Sequence, residues 1–471
     1  MPRWLDELHD DLAKLEADHL RRQLVGVDRG GDVGDALPSA RLIQRDGRTL
    51  LNFASNDYLA LCDHPHLKQA AIDATQRWGT GAGASRLVTG HLTIHAEIER
   101  RFAAFKHAQA ALLCATGYLA NLAVLTTLAG PGDLVCVDKL CHASLLDAAA
   151  ASGATVRVFP HLQLGKLKRL LEGPLRQTEG NNQKCSNSPP SQGGAGGGFD
   201  PRNDLPSISA MNSTLPQPLP KREGSSEKAK ATRAPRKFIV TDSIFSMDGD
   251  AANLPALCDL AAENEAILIV DEAHGTGLLG NSGAGLCEAQ GVADRVDIVI
   301  STASKALGGL GGIVTAKQVV IDSLINHARS FIYTTAIPAS QAATIGAALD
   351  VVRDEPWRRK RVLELASRVQ DMLRSSAFAV ASSSAVPPVS PIIPIITGSA
   401  ASALALAAHL ASHGIHAPAI RPPTVAPNGA RVRLSLRADL TDQDMECLQK
   451  AISQTGDRRQ ETGDSQSHGG R

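Results

Sequence analysis

The strongest chemical signal is a lysine behind a strand. Lys305 ends the run Val299-Ile300-Ser301-Thr302-Ala303-Ser304-Lys305, and Gly308, Gly309, Gly311 and Gly312 follow it. The apolar residues read as a buried strand, and ligands of α/β sheets bind beyond the carboxyl ends of strands. An amine placed there can form an imine with a carbonyl cofactor. The glycines let backbone come close to that partner. The same pattern standing alone also describes a solvated surface lysine.

A second strand, Ile267-Leu268-Ile269-Val270, ends in Asp271, with His274 three residues on. A carboxylate at that depth needs a cation beside it, and a protonated pyridine nitrogen is one. The plainer reading is an aspartate capping the next helix. A third run, Thr116-Gly117-Tyr118-Leu119-Ala120-Asn121, follows the strand Ala110–Cys114 and opens a helix. Free N–H groups at a helix start bind phosphate. In Leu140-Cys141-His142-Ala143-Ser144, His142 can stack on a flat ring or sit as a satisfied core histidine. Gly79–Gly83 follows a helix rather than a strand, so it is no dinucleotide fingerprint; it reads as an active-site loop or a plain turn.

These residues need a frame. Short apolar runs alternate with helical stretches: Ala110–Cys114, Leu134–Val137, Thr155–Phe159, Phe238–Thr241, Ile267–Val270 and Ile298–Ile300. That rhythm predicts an α/β fold with a buried, mostly parallel sheet. Residues 1–25 read as one charged amphipathic helix in an N-terminal segment, 1–47. The large domain is expected over 48–340. Helices over 341–376, a Pro-rich strand at Val386–Ile396, a helix at 401–413 and a strand at Arg431–Leu436 predict a smaller α+β domain, 341–455. A flexible tail, 456–471, follows. Residues 173–235 are dense in Gly, Pro, Ser, Asn and Lys and predict a disordered surface insertion.

With 471 residues, 43% of them hydrophobic, the chain can build more than one core. Lys+Arg and Asp+Glu both number 48, and this balance argues against nucleic acid or a membrane surface as partner. Eight cysteines are scattered without C-x-x-C pairs, which suits a reducing cytosol and provides no zinc site. The acidic N-terminal pattern lacks the apolar stretch of a signal peptide, and no run is long enough to span a bilayer. A cytoplasmic protein without a metal is expected.

Taken in order, the landmarks resemble fold-type I pyridoxal-5′-phosphate (PLP) enzymes and, more narrowly, the α-oxoamine synthase family. They are Asn56-Asp57-Tyr58-Leu59, Gly117-Tyr118, Cys141-His142-Ala143-Ser144, Phe245-Ser246-Met247-Asp248-Gly249-Asp250, Asp271-Glu272-Ala273-His274-Gly275 and Ser304-Lys305. The resemblance runs from about Leu15 to about Ile452, apart from the insertion. It implies a large domain on a mostly parallel seven-stranded sheet. It also implies that Lys305 carries PLP and moves protons, that Asp271 meets the ring nitrogen, and that His142 stacks on the ring. Ser246 and His274 are then expected beside the phenolic oxygen, and Gly117, Tyr118 and Thr302 near the phosphate. Arg21, Arg421 and Thr424 are expected to meet substrate, His142 with them, and Ile332-Tyr333-Thr334-Thr335 to cross the interface of a homodimer.

The run Ala419-Ile420-Arg421-Pro422-Pro423-Thr424-Val425 and Arg21 point within the family to one reaction. The resemblance then implies condensation of L-alanine with a pimeloyl thioester, on coenzyme A or acyl carrier protein, with loss of CO2, in biotin synthesis. Glycine C-acetyltransferase, 5-aminolevulinate synthase and serine palmitoyltransferase are the neighbouring alternatives. A serine–lysine acyl hydrolase is the remote one. Thr302-x-x-Lys305 has its spacing, but Thr replaces Ser, Ser55-Asn56-Asp57 stands where Ser-Asp-Asn is needed, and Lys-Thr-Gly is missing. A catalytically dead scaffold is the third class, and the presence of lysine, aspartate and histidine together speaks against it.

Overall fold

The computed structural model describes residues 3–30, 39–173, 233–376 and 390–464. Residues up to 174 and from 236 onward form one compact unit; residues 175–235 form a second, of which only 233–235 are described. The expected insertion therefore lies almost wholly outside the described residues.

The chain begins with the helix Arg3–Ala17, shorter than the sequence pattern suggested. Three strands follow, β1 (Asp28–Gly30), β2 (Ser39–Arg45) and β3 (Arg48–Asn52). The central sheet uses β4 (Ala110–Cys114), β5 (Leu134–Asp138), β6 (Thr155–Phe159), β7 (Lys237–Asp242), β8 (Ala266–Asp271), β9 (Ile298–Thr302) and β10 (Gly312–Ala316). Four short strands complete the set: β11 (Ile392–Gly398), β12 (Ile415–His416), β13 (Ala419–Ile420) and β14 (Ala430–Ser435).

The seven-stranded sheet runs in the order β4-β10-β9-β8-β7-β5-β6. Strands β6, β5, β7, β8 and β9 pair in parallel, and β10 is antiparallel to both β9 and β4. Strands β5, β7 and β8 are covered on both faces, which is why they read as unbroken apolar runs rather than alternating ones, whereas the edge strand β6 is partly exposed. Strand β10 escaped the sequence reading; it begins at Gly312, the last of the glycines behind Lys305. Two of those glycines have a steric reason. A Cβ on Gly308, which sits at φ +64°, would stand 2.6 Å from the Cys62 nitrogen, and one on Gly312 would stand 2.3 Å from the Thr116 carbonyl. They admit backbone against backbone, where the sequence suggested backbone against ligand.

A smaller sheet, β11-β14-β13, carries the helix Ala400–Ser412 against it. Strand β12 joins β3 in parallel instead and so extends the N-terminal sheet β1-β2-β3. The last helix, Asp442–Asp464, reaches past residue 455, and 465–471 lie outside the described residues. Among the described residues no helix is long and apolar enough to cross a membrane.

One charged contact ties the sheet edge to the turn behind β7. His161 Nδ1 meets Asp138 at 3.0 Å and its Nε2 meets Asp250 at 2.8 Å, while the ring stands edge-on to Phe245. Burial opposes a charge on His161, but the two carboxylates outweigh it and push its pKa from 6.5 up to about 9. A group whose pKa is raised by folding stabilises fully below its unfolded value and loses that stabilisation as pH rises through the folded one. His161→Gln is therefore expected to cost about 2 kcal/mol near pH 6. The gap to the parent protein should close above pH 9, as read by denaturant unfolding at both pH values.

Candidate active site

Every chemical residue singled out around the central sheet lies at its carboxyl edge. Asp271 ends β8, Thr302 ends β9, and Lys305 follows in the next turn. His142 is the N-cap of the helix Ala143–Ala151, just behind β5. Gly117 opens the helix Gly117–Leu128, just behind β4. All of them line one cavity of about 240 Å³. A second cavity, at Asp138, Phe159 and Leu257, is only about 70 Å³ and lies away from the lysine.

Lys305 is half-buried as a residue, but its Nζ end is packed beside His274 Nε2 at 2.8 Å. Burial lowers its pKa to about 8; Asp271 and Asp242 work against the fall, and the Arg433 guanidinium adds to it. A lysine poised there offers a useful fraction of free amine at neutral pH, as an imine-forming nucleophile needs. His274 Nδ1 meets the Tyr58 hydroxyl at 2.7 Å, and Arg433 Nη2 donates to that hydroxyl at 3.2 Å. Burial first, then the cationic charges of Lys305 and Arg433, hold the His274 pKa well below the usual histidine range. The imidazole is therefore neutral. One proton arrangement satisfies the chain: Lys305 donates to Nε2, Nδ1–H donates to Tyr58, and Tyr58 donates to Asn56 Oδ1 at 3.2 Å.

Asp271 is the centre of a second network. Its Oδ1 accepts the Ala273 N–H and its Oδ2 accepts Asn121 Nδ2, both at 2.9 Å. Asn121 also donates to Ser144 Oγ at 2.7 Å, and Ser144 Oγ lies 2.7 Å from His142 Nδ1. Burial, then the charge of Lys305, lowers the His142 pKa, so its ring faces the cavity uncharged. The loop after β8 is held from below. Glu272 accepts from buried Lys106 at 2.5 Å and from the Cys287 N–H at 2.7 Å. With Glu272 pinned inward, its neighbours Asp271 and His274 turn to the cavity.

At the far edge, Thr116 caps its helix by accepting the Leu119 N–H at 3.2 Å. The N–H groups of Gly117 and Tyr118 have no partner within the helix, which makes this end a place for an anion. Thr302 Oγ1 stands by it, bonded to the Gly311 carbonyl and to Ser304.

Four expected site residues are not on the cavity wall. Ser246 lies on the turn behind β7, and Ile244 lines the wall in its place. Arg21, Arg421 and Thr424 gather elsewhere: Arg421 donates to the His19 and Arg21 carbonyls, Arg21 pairs with Glu16 at 3.4 Å, and Arg22 donates to Thr424 at 2.8 Å. Sequence reasoning gave no role to Arg22, Asn121, Ser144, Asp242 or Arg433. Asn121 and Ser144 stood inside quoted motifs, so their signal was present. Arg433 gave none, since charged residues on an alternating strand suggest a solvated face, yet every residue of β14 is buried.

Comparison with known proteins places the chain in a family. The model of the aminotransferase class I and II family matches residues 48–185 and 221–452, so the unmatched gap falls within the expected insertion. The chain belongs to that family. An 8-amino-7-oxononanoate synthase of Cellvibrio japonicus is 39% identical to it over 84% of each chain. A serine palmitoyltransferase of S. paucimobilis with bound PLP and myriocin superposes with a TM-score of 0.76, covering 97% of this chain and 98% of that one at 23% identity. An 8-amino-7-oxononanoate synthase structure from Francisella tularensis superposes at 0.63, covering 87% and 98% at 24% identity. At those identities the structures speak for the fold alone.

The family is PLP-dependent, and the cavity fits that cofactor. It offers a poised amine, a buried carboxylate for a ring cation, a flat uncharged imidazole and a helix start for the phosphate.

Proposed function

We propose that this enzyme condenses L-alanine with a pimeloyl thioester, releasing CO2 and the free thiol carrier and giving 8-amino-7-oxononanoate. Carbon count supports the pair: the three carbons of alanine and the seven of pimelate, less the one lost as CO2, make the nine of the product. The observation that carries the reading is Lys305 and Asp271 on one cavity wall, in a chain 39% identical to an enzyme named for that product.

PLP bound at this site supplies an electron sink for a carbanion at the amino acid's α-carbon. Lys305 Nζ anchors the cofactor, then takes the α-proton and later returns one. The Asp271 carboxylate keeps the ring nitrogen protonated, and Asn121 and the Ala273 N–H hold that carboxylate in place. His142, oriented by Ser144, would stack on the ring. His274, backed by Tyr58, holds the Lys305 amine in position. The N–H groups of Gly117 and Tyr118 would hold the phosphate, with Thr302 beside them.

Arg433 takes the amino acid's carboxylate. It is 7% exposed, its Nε has no hydrogen-bond partner, and its charge is felt at both Lys305 and His274. With Nη2 held by Asn56 Oδ1 at 3.0 Å and the Tyr58 hydroxyl at 3.2 Å, the guanidinium offers a carboxylate its charge and its unpaired Nε. Arg21, Arg22, Arg421 and Thr424 then form a separate basic site for the acidic end of the acyl substrate. The enzyme acts as a homodimer: Tyr333, 71% exposed with Arg329 over its ring, lies in the segment expected at the interface.

The test is turnover with pimeloyl-CoA or pimeloyl–acyl carrier protein and one amino acid at a time. L-Alanine should exceed glycine and L-serine by at least about tenfold in kcat/KM. Preference for glycine or serine would keep the family and move the enzyme to another branch.

A further inference from the structure

Asn121 joins two parts of the cavity wall that share no strand. It lies on the helix Gly117–Leu128, 1% exposed, where that helix packs against the helix Ala143–Ala151. Its Nδ2 donates to Asp271 Oδ2 at 2.9 Å and to Ser144 Oγ at 2.7 Å. Ser144 is as deeply buried and places that Oγ 2.7 Å from His142 Nδ1. An unbroken chain of hydrogen bonds therefore runs from Asp271 to the imidazole.

The chain has a direction. A carboxylate only accepts, so the end of the Asn121 amide turned to Asp271 is the NH2 end. The second N–H of the same nitrogen occupies a lone pair of Ser144 Oγ. The Ser144 hydroxyl proton is left with one acceptor among the described residues, His142 Nδ1. The Ser144 backbone N–H points at the same nitrogen from 3.3 Å. A proton on Nδ1 would face that N–H and leave the hydroxyl proton stranded. Nδ1 is therefore the acceptor. Burial, then the charge of Lys305, favours the neutral ring, and a neutral imidazole with an accepting Nδ1 carries its one proton on Nε2. Nδ1 is tied to the helix start, so Nε2 is the outer edge of a ring that lines the cavity.

We propose that Asn121 and Ser144 are positioning residues that hold His142 as its Nε2–H tautomer, so that the imidazole offers the cavity a hydrogen-bond donor in place of a basic lone pair. His142 then provides no second base to compete with Lys305 for a proton. The tautomer follows from this chain's own residues; its part in turnover rests on the function proposed above.

The tautomer is read by nitrogen-15 magnetic resonance of the cofactor-free protein labelled at histidine, the His142 signals being those absent from a His142→Gln variant. The parent protein should carry the His142 proton on Nε2. Ser144→Ala removes the hydroxyl donor and should shift the tautomer ratio about tenfold toward Nδ1–H, the value of one hydrogen bond. Asn121→Ala should shift it in the same direction, and Ser144→Thr, which keeps a hydroxyl, should restore the parent ratio. In the loaded enzyme Ser144→Ala should lower kcat/KM for the amino acid about tenfold while the PLP dissociation constant stays within about twofold. A parent proton on Nδ1 overturns the assignment, even if the alanine variants fail to fold. A ratio unmoved in Ser144→Ala overturns it as well and leaves the two residues as packing. Turnover unchanged beside a shifted ratio strikes out the part in catalysis. A parent protein with the proton on Nε2 that fails to attach PLP at Lys305 sinks the function proposed above and leaves the tautomer standing.

Discussion

Lys305→Ala is expected to abolish condensation, with kcat falling about 10³-fold or more, since one atom serves as covalent anchor and as proton carrier. The fold should survive the change. Lys305 sits in a turn whose geometry depends on Gly308 and on the Gly308 N–H to Lys305 carbonyl bond, and both are backbone features that alanine keeps. The visible absorption of the covalently held cofactor should vanish while thermal unfolding stays near that of the parent. A pH signature accompanies this in the unaltered protein. With the Lys305 pKa at about 8, the free amine grows as pH rises, so the rate of PLP uptake by cofactor-free protein should climb about tenfold per pH unit below 8 and level off above it. A rate flat between pH 6 and 9 would show that another group captures the cofactor.

Asp271→Asn should cost about 10²–10³-fold in kcat, the scale of removing one charge from a water-poor catalytic site. The amide is nearly the same size, so the contact with the Ala273 N–H has an oxygen to replace it. The change removes the anion that keeps the ring nitrogen protonated. PLP should still attach to Lys305, because that step needs the amine and not the carboxylate. A variant that binds cofactor and turns over within about threefold of the parent would take Asp271 out of the mechanism.

Much of this was legible in the chain. The β5, β7 and β8 runs are rich in Val, Ile and Leu without alternation, which only a doubly covered strand requires. Lys305, Asp271 and His142 stood at the ends of such runs, where α/β sheets place ligands. The misses share a physical cause. Asn121 and Ser144 act through contacts between two helices that no local pattern reports. Arg433 looked like surface charge because burial of both faces of β14 comes from its neighbours. Ser246 was expected on the cavity wall, but the turn behind β7 brings Ile244 there. Arg421 was expected at the substrate end, and no local pattern reports that its guanidinium is engaged with the carbonyls of His19 and Arg21, a contact across some 400 positions of sequence.

Borohydride reduction of the PLP-loaded protein, followed by peptide mass mapping, identifies the residue that holds the cofactor. Reduction freezes an imine as a stable amine on the residue that formed it. The added mass should appear on the peptide containing Lys305 and on no other lysine. An adduct on a different lysine, or none after incubation with excess PLP, would contradict it.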